Sequence, residues 1–349
     1  MTDSEISDST ALRVMPAPER YAVLLNARAR GWTGAVHEAV QRFVPTRDLF
    51  LTDDFRQAET TIERVLTADY DVIFTGGGDG TVVYLINAIE EFIRAGKLER
   101  EEAPPVGVLR LGTGNAIATY LGSGPIIEDL RTLHAGAPLK VRELNLVDDG
   151  EHRFPFAGFG WDADILNDYH QFKDAVKGTM AERAATGLGG YALSIATRTA
   201  PKALVRGAKT ATFTNLGPTA LELDEAGQVV GECGPGEELY RGPIKITSPA
   251  TIPYWGFNVR MFPYCNLRPG FFELRYYTGS IAQVVRNLPG FWRGDMPPST
   301  LGDWLVSKVR VEIEDGAMSY QVAGDAAGYR DHAVWSLAEQ TASLAVPLH

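Results

Sequence analysis

The fold class this sequence predicts is an α/β domain with a doubly wound parallel sheet, followed by a mostly antiparallel β-sandwich. Three observations carry that reading. From Tyr21 to Leu139, short apolar runs alternate with segments of helical period. Two of those runs end in glycine-rich turns that open helices. Beyond Val141 the pattern changes to short strand-like runs separated by Gly, Pro, Asn and Asp turns.

The strand-like runs of the first part are Tyr21–Asn26, Arg47–Thr52, Tyr70–Thr75 and Val106–Leu111. Between them lie helical patterns such as Ala58, Ile62, Val65 and Leu66, at i, i+4, i+7 and i+8. Strands alternating with helices imply right-handed crossovers and a parallel sheet, whose ligands bind beyond the carboxyl ends of the strands. In the second part the runs are Arg142–Val147, Thr210–Thr214, Ile244–Thr247, Phe257–Phe262 and Phe271–Tyr277. A helical segment over 176–199 interrupts them, loosened by Gly187, Gly189 and Gly190, and Asp224–Gly227 reads as the tip of a hairpin. The expected organisation is a disordered leader over 1–19, an α/β domain over 20–139 and a β-rich domain over 140–349. The C-terminal segment of the last can return to the first domain.

Composition narrows the function. The net charge of −11 opposes nucleic-acid binding driven by overall charge, and equally opposes charge-driven docking on anionic lipid. Cys233 and Cys265 fit no metal-ligand spacing and read as reduced, incidental thiols. No stretch approaches the ~18 apolar residues that span a bilayer. Residues 1–10 have neither the basic start nor the apolar core of a signal peptide. The expectation is a soluble, cytoplasmic protein, for which a homo-oligomer is compatible with the sequence.

The chemistry concentrates in Gly76-Gly77-Gly78-Asp79-Gly80-Thr81, between the run Tyr70–Thr75 and a helix bearing Val82, Leu85, Ile86, Ile89, Phe92 and Ile93. Glycines let backbone approach an anion closely, and the first N–H groups of a helix lack internal partners. The hexapeptide has no Gly-Lys-Ser/Thr ending, and Thr81 stands where a dinucleotide fingerprint has its third glycine. A carboxylate beside a polyphosphate is repelled unless a cation bridges them, so Asp79 points to a divalent metal. A second turn, Gly112-Thr113-Gly114-Asn115, follows Val106–Leu111 and opens the helix 116–121. Two such turns, one βαβ unit apart, can face one crevice. The plainer alternative is that each only caps its own helix, since Asp79 and Asn115 are both good N-cap types.

These residues resemble the diacylglycerol kinase catalytic-domain family, which includes sphingosine kinases and soluble bacterial lipid kinases. Gly77–Thr81 resembles the family's Gly-Gly-Asp-Gly-Thr loop, and Gly112–Asn115 its Gly-Thr-x-Asn turn. Asn26 fits the Asn of the first nucleotide-contacting turn, while Thr52 and Ala58 fit the Thr and Ala after the second strand. Gly158–Ala163 is similar to the family's Gly-Phe-Asp-Ala segment, and Gly189-Gly190-Tyr191 to its Gly-x-x-Tyr helix. NAD kinases of the same superfamily share the first loop, but the β-rich second half favours the lipid-kinase branch. The resemblance implies that 20–139 is a nucleotide-binding domain for ATP, with Mg2+ neutralising the phosphates. It places Asn26, Thr52, Gly77, Gly78, Asp79, Gly80, Thr81, Gly112, Thr113, Gly114 and Asn115 at the nucleotide. Asp79 would act on the metal through water or phosphate, and Asp325, in the turn Ala323-Gly324-Asp325, would be the base that takes a proton from a lipid hydroxyl. On spacing alone, Gly324-Asp325 is also a simple hairpin turn.

The sequence departs from that pattern in several places. Val83 and Tyr84 replace Asn-Glu, Arg110 replaces a Pro, and Ala116 replaces an Asp. Asn266–Gly270 has no carboxylate where bacterial members carry Asp-Asp-Gly for a structural Mg2+, so no second metal is expected. These departures keep open a catalytically inactive nucleotide-binding regulator, beside an NAD kinase-like enzyme for a soluble acceptor. The six histidines form no metal set. Aromatic residues are dense between Tyr254 and Trp292, mostly as sandwich core. Gly290-Phe291-Trp292-Arg293-Gly294 is the candidate for a transient, peripheral membrane contact.

Overall fold

The computed structural model describes residues 12–52, 55–161, 163, 164, 208–280, 283, 290 and 300–349. They form two compact units. The α/β unit comprises 12–146, Tyr254–Asn258 and Ala338–His349; the β unit comprises Val147–Pro253 and Val259–Leu337.

The α/β unit is built on one seven-stranded sheet, in the order β1-β6-β21-β5-β4-β2-β3. Its strands are β1 (Leu12–Met15), β2 (Tyr21–Asn26), β3 (Leu49–Thr52), β4 (Val72–Gly77), β5 (Val106–Arg110), β6 (Leu139–Leu144) and, from the far end of the chain, β21 (Ala342–Pro347). β2 pairs in parallel with both β3 and β4, and β5 in parallel with both β4 and β21. Helices α1 (Gly34–Phe43), α2 (Phe55–Leu66), α3 (Asp79–Arg94), α4 (Ala116–Leu121) and α5 (Ile126–His134) connect the strands. A parallel sheet covered on both faces needs strands that are apolar throughout. β4 obeys this, with all of Val72–Gly77 buried and Phe74 wholly so. On one face Val23, Leu25, Phe74 and Leu109 pack with Val36, Val40, Leu130 and Leu133 in a single core.

The β unit holds two antiparallel sheets. Its strands are β7 (Val147–Asp148), β8 (Arg153–Phe154), β9 (Ala157–Gly160), β10 (Lys209–Asn215), β11 (Ala220–Leu223), β12 (Val229–Cys233), β13 (Glu238–Ile244) and β14 (Ile246–Ala250). The series continues with β15 (Phe272–Tyr277), β16 (Leu301–Val306), β17 (Lys308–Ile313), β18 (Met318–Val322), β19 (Asp325–Arg330) and β20 (His332–Leu337). Six strands run in the order β13-β10-β17-β20-β7-β8, and eight in the order β12-β11-β16-β15-β14-β9-β18-β19. Aromatic residues join the two sheets. Phe159 on β9 meets Trp335 on β20 at 5.7 Å between ring centroids, and Phe213 on β10 meets Tyr276 on β15 edge-on at 5.5 Å. The architecture is the α/β domain plus antiparallel sandwich that the sequence predicts.

Three expectations change. The leader expected over 1–19 contains strand β1, because Leu12–Met15 pairs antiparallel with β6 and satisfies an otherwise open sheet edge. The strand expected at Arg47–Thr52 begins with a 3-10 turn over Thr46–Asp48, so only Leu49–Thr52 is extended. The strand expected at Phe257–Phe262 does not form. Phe257 and Asn258 are both left-handed, at φ 61°, and the Phe257 amide donates to the Gly114 carbonyl at 3.0 Å instead of to a ladder. Asp224–Gly227 is the predicted hairpin tip, where Asp224 Oδ1 accepts from the amides of Ala226 (2.9 Å) and Gln228 (2.8 Å). The expected helix over 176–199 with Gly189-Gly190-Tyr191, together with Asp162 and Phe291–Gly294, lies outside the described residues.

Candidate active site

The chain order of the sheet locates the crevice. From β2 the chain passes outward to β3, then returns across β2 to β4 on its other side. Loops leaving the carboxyl ends of β2 and β4 therefore diverge, and that divergence opens the ligand crevice of an α/β sheet. Asn26 ends β2 directly beside Thr52 on β3, and Gly77 ends β4 directly beside Arg110 on β5. Asn26 folds the first loop itself. Its Oδ1 accepts from the Arg28 amide at 2.9 Å, and its carbonyl accepts from the Ala29 amide at 2.9 Å. The Thr52 carbonyl accepts from the Ala27 amide at 3.1 Å, tying the two strand ends together.

The two glycine turns form one body. Gly78 is the N-cap of α3, so Asp79, Gly80 and Thr81 make its first turn, with the Thr81 amide donating to the Gly78 carbonyl at 3.0 Å. Gly112 lies flat against this loop: a Cβ there would stand 2.4 Å from Gly78 Cα and 2.6 Å from the Gly77 carbonyl oxygen. Only glycine permits that approach. A Cβ at Gly78, by contrast, meets nothing within 4 Å, which leaves open space beside the loop for an anion.

Asp79 makes the deepest connection. The side chain is buried, and its two oxygens accept from the first two amides of α4. Oδ2 takes the Ala116 N–H at 3.0 Å and Oδ1 the Ile117 N–H at 2.8 Å. The carboxylate of the first turn is thus the N-terminal cap of the helix opened by the second. Asn115 occupies the N-cap position of α4 in the left-handed region (φ 53°, ψ 40°), but its side chain turns back, and Nδ2 donates to the Gly112 carbonyl at 2.8 Å. The plainer alternative, that each turn caps only its own helix, does not describe this arrangement. Cross-capping over 37 residues of chain leaves no local sequence signal.

The departures sort by burial. Val83 and Ala116 are buried core residues of α3 and α4. Tyr84 is partly buried, and burial is the main cause that raises its hydroxyl pKa, followed by the charges of Glu59 and Glu91. Arg110 Nε is buried without a hydrogen-bond partner.

A segment that sequence reasoning missed completes the cluster. Tyr254–Asn258 belongs to the α/β unit. Besides the Phe257 amide on the Gly114 carbonyl, Thr119 Oγ1 of α4 donates to Asn258 Oδ1 at 2.8 Å.

Asp325 belongs to the β unit. It opens β19 after the two-residue turn Ala323-Gly324, whose φ values of 49° and 83° are those of a tight type I′ hairpin. Asp325 is exposed. The turn is anchored by the Gly324 amide on Gln321 Oε1 (2.8 Å) and the Ala323 amide on the Phe156 carbonyl (3.0 Å). Beneath it lies a buried network. The Tyr320 hydroxyl accepts from Trp335 Nε1 (3.1 Å) and donates to Asp149 Oδ2 (3.2 Å), which Arg330 also reaches at 3.0 Å. Burial is the chief reason the Tyr320 pKa is raised far above its ordinary value, with the charge of Asp149 adding to it.

Among the described residues, no group of three or more His, Cys, Asp or Glu could hold a metal ion. A Mg2+ ion on nucleotide phosphates needs only one or two carboxylates and keeps several waters. Asp79, a single carboxylate in the first turn of α3, fits that smaller role.

Residues 20–145 match the family profile described as the diacylglycerol kinase catalytic domain. Diacylglycerol kinase 2 of Arabidopsis thaliana is 26% identical over 174 residues, covering 43% of this chain and 24% of that protein. Diacylglycerol kinase iota of Homo sapiens is 29% identical over 127 residues, covering 30% of this chain and 11% of that protein. The chain thus spans about a quarter or less of the length of these curated relatives. The fold is shared with a solved diacylglycerol kinase from Bacillus anthracis str. Sterne, at TM-score 0.58 and 13% identity over 94% of this chain and 96% of that one. A second solved protein of that organism aligns at TM-score 0.61 and 17% identity, over 94% of this chain and 97% of that one. Loops, sheet order and matched segment converge: residues 20–145 are similar to the diacylglycerol kinase catalytic domain, and the whole chain shares the fold of these solved proteins.

Proposed function

We propose that the protein is an ATP- and Mg2+-dependent kinase that transfers the γ-phosphoryl group to a hydroxyl of diacylglycerol or a similar lipid alcohol. The observation that carries this reading is the fused pair of turns, in which Gly112 seats against Gly77–Gly78 and Asp79 spans from one turn to the other. Phosphoryl transfer asks a protein mainly for positioning and charge stabilisation. Amides of Gly77, Gly78 and Gly80 would hold the phosphates, with Thr81, Gly112, Thr113, Gly114 and Asn115 framing them and Asn26 and Thr52 bounding the nucleotide on the β2 side. Bound Mg2+ would supply positive charge to the phosphate oxygens, and Asp79 would reach it through water. Asp325 would accept the proton of the lipid hydroxyl. The test is transfer of labelled phosphate from ATP to diacylglycerol in mixed micelles, with NAD as the competing acceptor and chelator as the metal control. Labelled lipid that disappears with chelator is the expected result. Labelled NAD alone would instead assign a soluble acceptor.

One observation favours a second reading. Both oxygens of Asp79 are engaged by α4, and Ala116 is core, so the described crevice carries few free acids. A nucleotide-binding regulator without turnover would show calorimetric ATP binding and no labelled product from any lipid pool.

A further inference from the structure

The segment Tyr254–Asn258 leaves the β unit and re-enters it within a few residues, yet it packs as part of the α/β unit. Three separate contacts seat it on the second glycine turn. The Phe257 amide donates to the Gly114 carbonyl at 3.0 Å. Thr119 Oγ1 donates to Asn258 Oδ1 at 2.8 Å. Gly256 and Gly114 lie face to face, so a Cβ on either would come within 3.3 Å of the other's Cα. Holding this approach requires Phe257 and Asn258 both to be left-handed, at φ 61° each. For Phe that conformation is costly and persists only where its surroundings impose it.

These contacts act on one peptide plane. A trans peptide holds its C=O and N–H on opposite sides. With the Gly114 carbonyl fixed on Phe257, the Asn115 amide is turned away from the segment. Asn115 is left-handed and Ala116 begins a helix, the backbone alternation that makes a concave anion-binding nest. The amides of Ala116 and Ile117 are already spent on Asp79, so the Asn115 amide carries what remains of that nest.

We infer that Tyr254–Asn258 is a third element of the nucleotide site, with Gly256 and Asn258 as positioning residues that aim the Asn115 amide at a nucleotide phosphate. The inference rests on the nucleotide reading given above. It assigns part of nucleotide affinity to a stretch of chain between two strands of the β unit, outside the matched segment 20–145.

The test titrates the Mg2+ complex of adenylyl imidodiphosphate, a non-transferable ATP analogue, into the full chain by calorimetry. Gly256→Ala and Asn258→Gly are each expected to raise the Kd about fivefold, the worth of one hydrogen bond or a comparable displacement. Glycine at 258 keeps the left-handed backbone and deletes only the contact to Thr119, so this variant folds even where Gly256→Ala fails. Thr119→Val added to Asn258→Gly is expected to weaken binding no further, because the two side chains form one contact. In turnover, the KM for ATP rises while kcat and the KM for the lipid stay within about twofold, a split that general destabilisation would not produce. An unchanged Kd in both single variants, with a wild type that binds, overturns the inference alone. A wild type that binds no analogue overturns the nucleotide reading, and this inference falls with it.

Discussion

Asp79 reads in the sequence as a metal-seeking acid, and in the structure it first does something else. Its carboxylate replaces a conventional side-chain cap on α4, from a position on another helix. Removing it strands two buried amides, at a cost of about 1–3 kcal/mol each when no acceptor replaces it. Asp79→Ala should therefore lower stability by a few kcal/mol in denaturant unfolding, besides any effect on catalysis. Asp79→Asn keeps one acceptor oxygen and should lose about half as much. If turnover falls equally in both variants while stability does not, the acid also serves the phosphates. If turnover tracks stability, its role is the cap alone. At this scale the identities of the loop residues were legible, because Gly-Gly-Asp-Gly-Thr has few structural uses. The partners of Asp79 and Asn115 were not, since a cap drawn from 37 residues away has no local signature.

Single elements of the β unit carry their own electrostatics. On β15, Arg275 is buried between Glu273 and Asp303. Its guanidinium gives Nε to Asp303 Oδ1 at 2.6 Å, a second nitrogen to Oδ2 at 2.9 Å and a third to the Met261 carbonyl at 2.5 Å. Glu273 lies 3.3 Å from the same Nε, but that N–H is aimed at Asp303, which leaves Glu273 Oε1 without a hydrogen bond. Burial accordingly raises the Glu273 pKa well above its ordinary value. Arg275→Met should cost about 3–5 kcal/mol, read from the denaturation midpoint, because two carboxyl groups lose their buried cation together.

The outer face of the six-stranded sheet behaves oppositely. Glu314 accepts from Thr212 Oγ1 at 2.8 Å, and that bond, followed by Arg241, holds its pKa below the ordinary 4.5. A depressed folded pKa contributes stability above the unfolded value, which is lost as the pH falls through the folded one. Thr212→Val should therefore lower the melting temperature at pH 7 more than at an acid pH below the folded pKa, where Glu314 is protonated in either protein. Thr210–Thr214 was legible in advance as a strand, but its ladder with β17 was not. The left-handed pair Phe257-Asn258 hid behind an apolar run that looked like a strand, because its conformation is imposed by Gly114, far away in sequence.

At the scale of the whole molecule, the sequence announced an α/β fold joined to a sandwich because periodicity is a local property of long segments. It allowed for a return of the C-terminal segment to the first domain, but it did not announce Tyr254–Asn258 as a further separated stretch of the α/β unit. Among the described residues, no helix is long and apolar enough to cross a membrane. With a net charge of −11, lipid contact would have to come from a local surface and not from overall charge. Raising salt from 0.05 to 0.5 M should therefore leave binding to neutral diacylglycerol micelles unchanged, as a sedimentation assay would show, because overall charge attraction contributes nothing to it.

The last strand has a consequence for how the protein comes into being. β21 lies inside the sheet, parallel to β5 on one side and antiparallel to β6 on the other. Until Ala342–Pro347 leaves the ribosome, β5 ends in an open edge, and β6 with β1 has nothing to join. Chains emerge at roughly 5–20 residues per second, with domains generally folding in the order they appear. Here the glycine turns are made early, but their sheet closes only after the entire sandwich has been synthesised. Nascent chains stalled before residue 342 should remain sensitive to protease within 20–145, and release of the final strand should protect them. The crevice at the carboxyl ends of β2 and β4 becomes a late product of translation, finished only once the sandwich has been made.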